Sequence, residues 1–297
     1  MNAKRYSNRP VIALALCAAA AAGLGSCAGN PALARGAEPE RLLPGGALAY
    51  AKLDRYVLEA FIEALGIEGA AAAAKEMSAR TDSLVLALLP AASPLPGAFP
   101  ALLAVASGRY PSGAAGLKLS GDKAWVKEGS VWRQREGELR LGFAGNSTLL
   151  LGTQALDGMS AAIRNPGPHP IPEQWLVAWS ADLALYLPSP LETLASGLPF
   201  DAEAIPLRGL VISARRGEEL YDTQFTFAFD DPRSAAVYAP LCRLFMYALI
   251  NGIWPEKARG MNASLRWLSQ DGMVLASGLS LGAGDMAALT AFAGRIP

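Results

Sequence analysis

The sequence predicts an α+β fold: two similar α+β halves with mainly antiparallel sheets, behind an N-terminal signal peptide and a flexible tether. Three observations predict it. Short apolar runs of strand length alternate with stretches of helical spacing, and several strand pairs are joined by tight-turn residues. A run of four prolines in eight residues, Asn165 to Pro172, divides the body, and no helix or central strand continues through it. The order of elements before that run then repeats after it, as weak internal duplication would leave it.

The first half is expected over 47–164. Ala47 to Leu53 alternates as a strand, and Asp54 caps a helix carrying Leu58, Phe61, Ile62 and Leu65, closed by Gly66. The Ala-rich stretch 69–80 reads as helix. Ser83–Leu89 and Ala101–Ser107 read as buried strands. Ala124–Trp132, Glu138–Ala144 and Ser147–Leu151 read as shorter ones, with turns at Arg135–Glu138 and Ala144–Ser147. Thr153–Arg164 reads as helix. After the linker at 165–172 the second half spans 173–297. Trp175–Leu183 is expected as a strand, 189–198 as a short helix, and Leu207–Ala214 and Leu220–Phe229 as strands. Asp231-Pro232 is an N-cap followed by proline at the first helical position, opening a helix to about Ile250 with Pro240 inside it. Ala263–Ser269 and Met273–Leu281 form a hairpin across Gln270–Gly272, and Asp285–Phe292 is a last helix.

Composition limits the functions on offer. Of 297 residues 52% are hydrophobic and 18% charged, so the chain has ample apolar surface to fold. Basic and acidic residues number 26 each, which leaves no net positive field for nucleic acid. One His and three Cys leave little for a His- or Cys-based metal site, and no cofactor is expected.

The N-terminus carries the sharpest signal. Lys4, Arg5 and Arg9 precede an uncharged run from Val11 to Gly25, too short to span a bilayer comfortably and suited to a signal-peptide core. It ends in Leu24-Gly25-Ser26-Cys27. This resembles the lipobox of bacterial lipoproteins. That resemblance implies cleavage between Ser26 and Cys27, acylation of Cys27, and the lipid bilayer as a partner. It divides the chain into a signal peptide at 1–26 and a tether at 27–46. Ala32-Leu33-Ala34 also fits an ordinary cleavage site, giving a soluble exported protein, and an uncleaved segment would be a short anchor. Ala28, in place of aspartate, favours the outer membrane over the inner. Loss of 1–26 leaves 23 basic against 26 acidic residues, and leaves Cys242 as the one free thiol.

Chemistry-bearing motifs fail on their requirements. Gly278-Leu-Ser280-Leu-Gly282 has the nucleophile-elbow pattern but no histidine downstream, since His169 precedes it. Gly282-Ala-Gly-Asp285 lacks the later strand of a dinucleotide site, and Asp285 serves as a helix cap. Ser120-Gly-Asp-Lys123 lacks its companion motifs and reads as a surface turn. No catalytic residue is assigned.

The apolar helix from Pro232 is the remaining candidate, with Leu241, Leu244, Phe245 and Tyr247 as a possible binding face for an envelope protein or an apolar ligand. The layout of the body resembles bacterial envelope proteins built on duplicated α+β modules, and no motif in that resemblance implies an activity. The expectation is therefore a membrane-anchored, non-enzymatic binding or assembly module of the cell envelope. A carrier of an apolar ligand such as a lipid is the alternative. A hydrolase whose site assembles only on folding is a third reading.

Overall fold

The computed structural model describes residues 38–58, 78–91, 100–191, 205–282, 284–286 and 288. The lipobox with Ser26 and Cys27, most of the tether, and most of the expected helices at 55–65, 69–80, 189–198 and 285–292 lie outside them. The fold is α+β, and within each unit the strands pair antiparallel. Two compact units divide it, and the break falls at Pro170 and Ile171, inside the proline-rich segment.

The first unit carries β2 (Thr81–Leu89), β3 (Ala101–Gly108), helix α1 (Ser112–Gly121), β4 (Trp125–Glu128), β5 (Val131–Gln134), β6 (Arg140–Ala144), β7 (Thr148–Gly152) and helix α2 (Asp157–Ala162). Its strands are ordered β2-β3-β7-β6-β5-β4. Leu141, Leu149, Leu150 and Val105 are buried at its centre. At its edge the Thr81 and Tyr110 hydroxyls share a buried hydrogen bond of 2.8 Å.

Two expectations are corrected here. The stretch 124–132 is a hairpin, β4 and β5, and no single strand: Gly129 sits at φ 63° and turns the chain back, a conformation glycine adopts without steric cost. Helix α1 was not expected. Three glycines in its ten residues weaken the helical signal, and its position comes from packing of Ala114, Ala115 and Leu119 into the core.

The second unit carries η-turn 173–175, helix α3 (Leu176–Trp179), β8 (Leu183–Leu187), β9 (Leu207–Arg216), β10 (Tyr221–Phe229), helix α4 (Pro232–Ile253), helix α5 (Ala258–Ser264), β11 (Arg266–Gln270) and β12 (Met273–Leu281). Its strand order is β11-β12-β10-β9-β8-β1, where β1 is Ala49–Asp54. So Ala47–Leu53, expected in the first half, belongs to the second unit. Tyr50 lies opposite Tyr186 in register, their rings stack at 6.3 Å, and the Lys52 ammonium donates to the Trp179 carbonyl at 3.2 Å. Alternation identifies a strand but not the ladder it joins.

The expected strand at 175–183 is helical instead. Trp175 and Trp179, four residues apart, are both buried while Val177 faces water, which is helical periodicity. The strand begins only at Leu183. Likewise Ala263 and Ser264 end α5, so β11 starts at Arg266. The β11–β12 turn uses Asp271 and Gly272 at φ 51° and 77°, as a two-residue hairpin loop requires.

Candidate functional site

Helix α4 is the feature of the second unit that packing least explains. Its start is well specified. Asp231 is extended, and its carboxylate accepts from the Ser234 N–H at 2.9 Å and from the Ser234 hydroxyl at 2.8 Å. Those two bonds hold the Asp231 carboxyl below the ordinary carboxylate range. Pro232 fills the first position, where no N–H is needed.

The helix touches the sheet through a narrow stripe. Ala235, Cys242, Met246 and Ile250 are buried, spaced by seven and then four residues. On its flanks Phe245 meets Phe227 edge-on at 5.9 Å, and Tyr238 stacks on Phe229 at the same distance. Burial pushes the Cys242 thiol up to about 12, so it acts as a packed apolar group and is no nucleophile at neutral pH.

The opposite face is apolar and exposed. Val237 is 63% exposed, Leu244 64% and Tyr247 55%. The helix has the length and hydropathy of a membrane span, yet only 17% of its most apolar window is buried. Its two charges are both basic. Arg233 lies in the first turn, and Arg243 is drawn aside over the Trp267 ring at 5.6 Å. At 100° per residue the exposed stripe centres on Leu244, directly opposite Met246.

The four residues expected as an apolar binding face therefore divide. Leu244 and Tyr247 point outward. Leu241 is half-buried at the edge of the outer stripe, and Phe245 is half-buried and turned to the sheet. Val237 was missed. Its spacing of seven residues from Leu244 was the available signal, and it was hidden because apolar residues lie all round this helix.

The other candidates take structural roles. Ser280 donates to the Asp222 carboxylate at 3.0 Å as an exposed cross-strand pair. His169 belongs to the first unit, whereas Ser280 belongs to the second. Asp285, expected as an N-cap, lies instead inside the first turn, where the Met286 N–H bonds to the Gly282 carbonyl. The Asp285 carboxylate reaches back to accept from the Gly282 N–H at 3.2 Å, as the third residue of a capping box does, while Lys257 pairs with the same side chain at 2.6 Å. Ser120 donates to the Gly116 carbonyl at 2.8 Å within α1. Asp230 is held by Arg208. Among the described residues no group of three His, Cys, Asp or Glu side chains is placed to hold a metal ion.

No family model matches the chain, and no curated protein matches it. Solved structures do. Crystal form III of TP0453 is similar at a TM-score of 0.61 and 13% identity, over 87% of this chain and 99% of that one. Crystal forms IV and I are similar at 0.60 and 0.59, each with 14% identity over 86% of this chain and 97% of the other. At this identity the likeness shows a common fold and nothing further.

Proposed function

We propose that this chain is a membrane-anchored protein of the bacterial envelope, held by acylated Cys27, that acts as a non-enzymatic binding or assembly module through the outer face of α4. One observation carries the reading: Val237, Leu244 and Tyr247 stand in water on a helix whose opposite stripe already satisfies the fold. Covering side chains that are a little over half exposed stabilises a complex by less than the roughly 1.5–3 kcal/mol each of a full transfer from water. The sequence supports the anchor through Leu24-Gly25-Ser26-Cys27, and Ala28 favours the outer membrane. The serine and carboxylates that looked chemical are engaged in caps and cross-strand pairs, which supports a binding role over a catalytic one.

A photo-reactive phenylalanine analogue placed at Leu244 in intact envelopes tests the binding face, with Leu117 as control. Leu117 is also exposed, at 76%, but stands on α1 beside Lys118 and Ser120. The expected result is adducts from position 244 and none from 117. Equal labelling, or none from either, overturns the reading. The anchor is tested separately: Cys27→Ala is expected to abolish fatty-acid labelling and release the protein from the membrane fraction.

A further inference from the structure

The stretch from Cys27 to Gly46 is expected as tether, yet its last part is fixed to the first unit. Pro39–Leu42 forms a 3₁₀ turn with proline at its start. The Arg41 and Leu43 N–H groups donate to the Glu38 and Glu40 carbonyls at 3.1 and 3.0 Å. The turn packs on β2, β3 and α2. Leu42 and Leu43, the one adjacent pair of large apolar residues in 28–46, are 2% and 5% exposed, and Glu40 is buried as well. The Gly167 N–H, in the proline-rich segment, donates to the Arg41 carbonyl at 3.3 Å. The Arg41 side chain itself stays in water, paired with Glu38 at 2.8 Å.

This docking shortens the reach of an anchor at Cys27. Fully extended, the eleven steps from 27 to 38 span at most about 40 Å. A chain undocked as far as Gly46 would span about 68 Å over nineteen steps. The docking point also lies at one end of the sheet. In the order β2-β3-β7-β6-β5-β4, β4 is five strand spacings, about 24 Å, from β2.

We propose that residues 38–46 are a clamp on the anchor. Lipid on Cys27 then holds the first unit within about 40 Å of the bilayer, with the β2–β3 end and α2 toward the membrane and the β4–β5 hairpin away from it. This rests on the acylation of Cys27 proposed above and specifies which side of the first unit the bilayer faces.

Two measurements on the acylated, full-length protein in phospholipid vesicles test this. The first is the rate of trypsin cleavage after Arg41, compared with the same bond in a synthetic peptide of residues 36–46. The Arg41 side chain is accessible, so only its fixed backbone protects the bond. Cleavage in the protein is expected to be about tenfold slower or more. Equal rates overturn the clamp. The second is energy transfer to rhodamine-labelled lipid from a dye on Gly158→Cys, in α2, or on Ser130→Cys, in the β4–β5 turn. Both positions are exposed, and a side chain at 158 meets nothing within 4 Å. Stronger transfer from position 158 is expected, and equal or weaker transfer from it overturns the orientation. Protein that washes off the vesicles overturns the anchor and the orientation together. Rapid cleavage after Arg41 in protein that stays bound overturns the clamp and leaves the anchor standing.

Discussion

The two units share one order, a hairpin, a helix and a later strand returning beside the hairpin, and differ in that helix. In the first, hairpin β2–β3 is followed by α1, and the later strand β7 returns beside β3. In the second, hairpin β9–β10 is followed by α4, and β12 returns beside β10. Helix α1 has ten residues and buries Ser112, Ala114, Ala115 and Leu119, with Lys118, Ser120 and the single large apolar side chain of Leu117 outward. Helix α4 has 22 residues, buries four, and turns Val237, Leu244 and Tyr247 outward. Helix α4 is the longer of the two and leaves three large apolar side chains in water, and the proposed binding role rests on that exposure.

The contrast can be broken first at the inner stripe. Met246 is 0% exposed, so Met246→Ala is expected to cost about 2–5 kcal/mol in denaturant unfolding. A loss under about 0.5 kcal/mol would mean that α4 is not seated on its sheet.

The helix starts sharpen it next. Asp231 caps α4 with a carboxylate, whereas α1 begins after Pro111 without a side-chain cap, and the neutral Asn146 amide accepts from the Ser112 N–H at 3.2 Å and hydroxyl at 2.8 Å. The folded-state pKa of Asp231 is depressed. Its contribution is present above the unfolded carboxylate value, about 3.9, and is lost as pH falls through the lower folded value. Asp231→Ala is expected to lower Tm at pH 7 and to flatten the acid limb of the stability curve. Asn146→Ala lowers Tm equally at all pH values. Parallel pH profiles for Asp231→Ala and wild type would contradict the cap.

The smallest effect is the most diagnostic. Leu244→Ala and Leu117→Ala are each expected to change the stability of the isolated protein by no more than about 0.5 kcal/mol. A large loss from Leu244→Ala alone would make that side chain part of the fold.

The elements whose signal is local were legible in the sequence. The strands at 81–89, 101–108, 207–216 and 221–229 follow apolar runs or alternation, and α4 follows its cap and proline. Elements set by longer-range partners were not. The pairing of β1 with β8 is a choice of ladder that Ala47–Leu53 does not carry in its own pattern. Trp175 to Leu183 mixes aromatic and small residues, which suit either strand or helix, and burial of Trp175 with Trp179 decides for helix. Of the candidate site, the helix was legible but its orientation was only half so. With apolar residues all round, only the sheet beneath distinguishes Met246 from Leu244.

Accessibility of position 244 in place tests the central claim most directly, that the outer face of α4 is a contact surface. Leu244→Cys and Leu117→Cys are compared by labelling with a membrane-impermeant maleimide, first in opened envelopes and then after gentle detergent extraction and dilution. The thiol introduced at position 244 is expected to be protected in the envelope and to react on dilution, while the thiol at position 117 reacts in both. Equal, rapid labelling of both positions in the envelope would show the face bare where the protein works, and would contradict that claim.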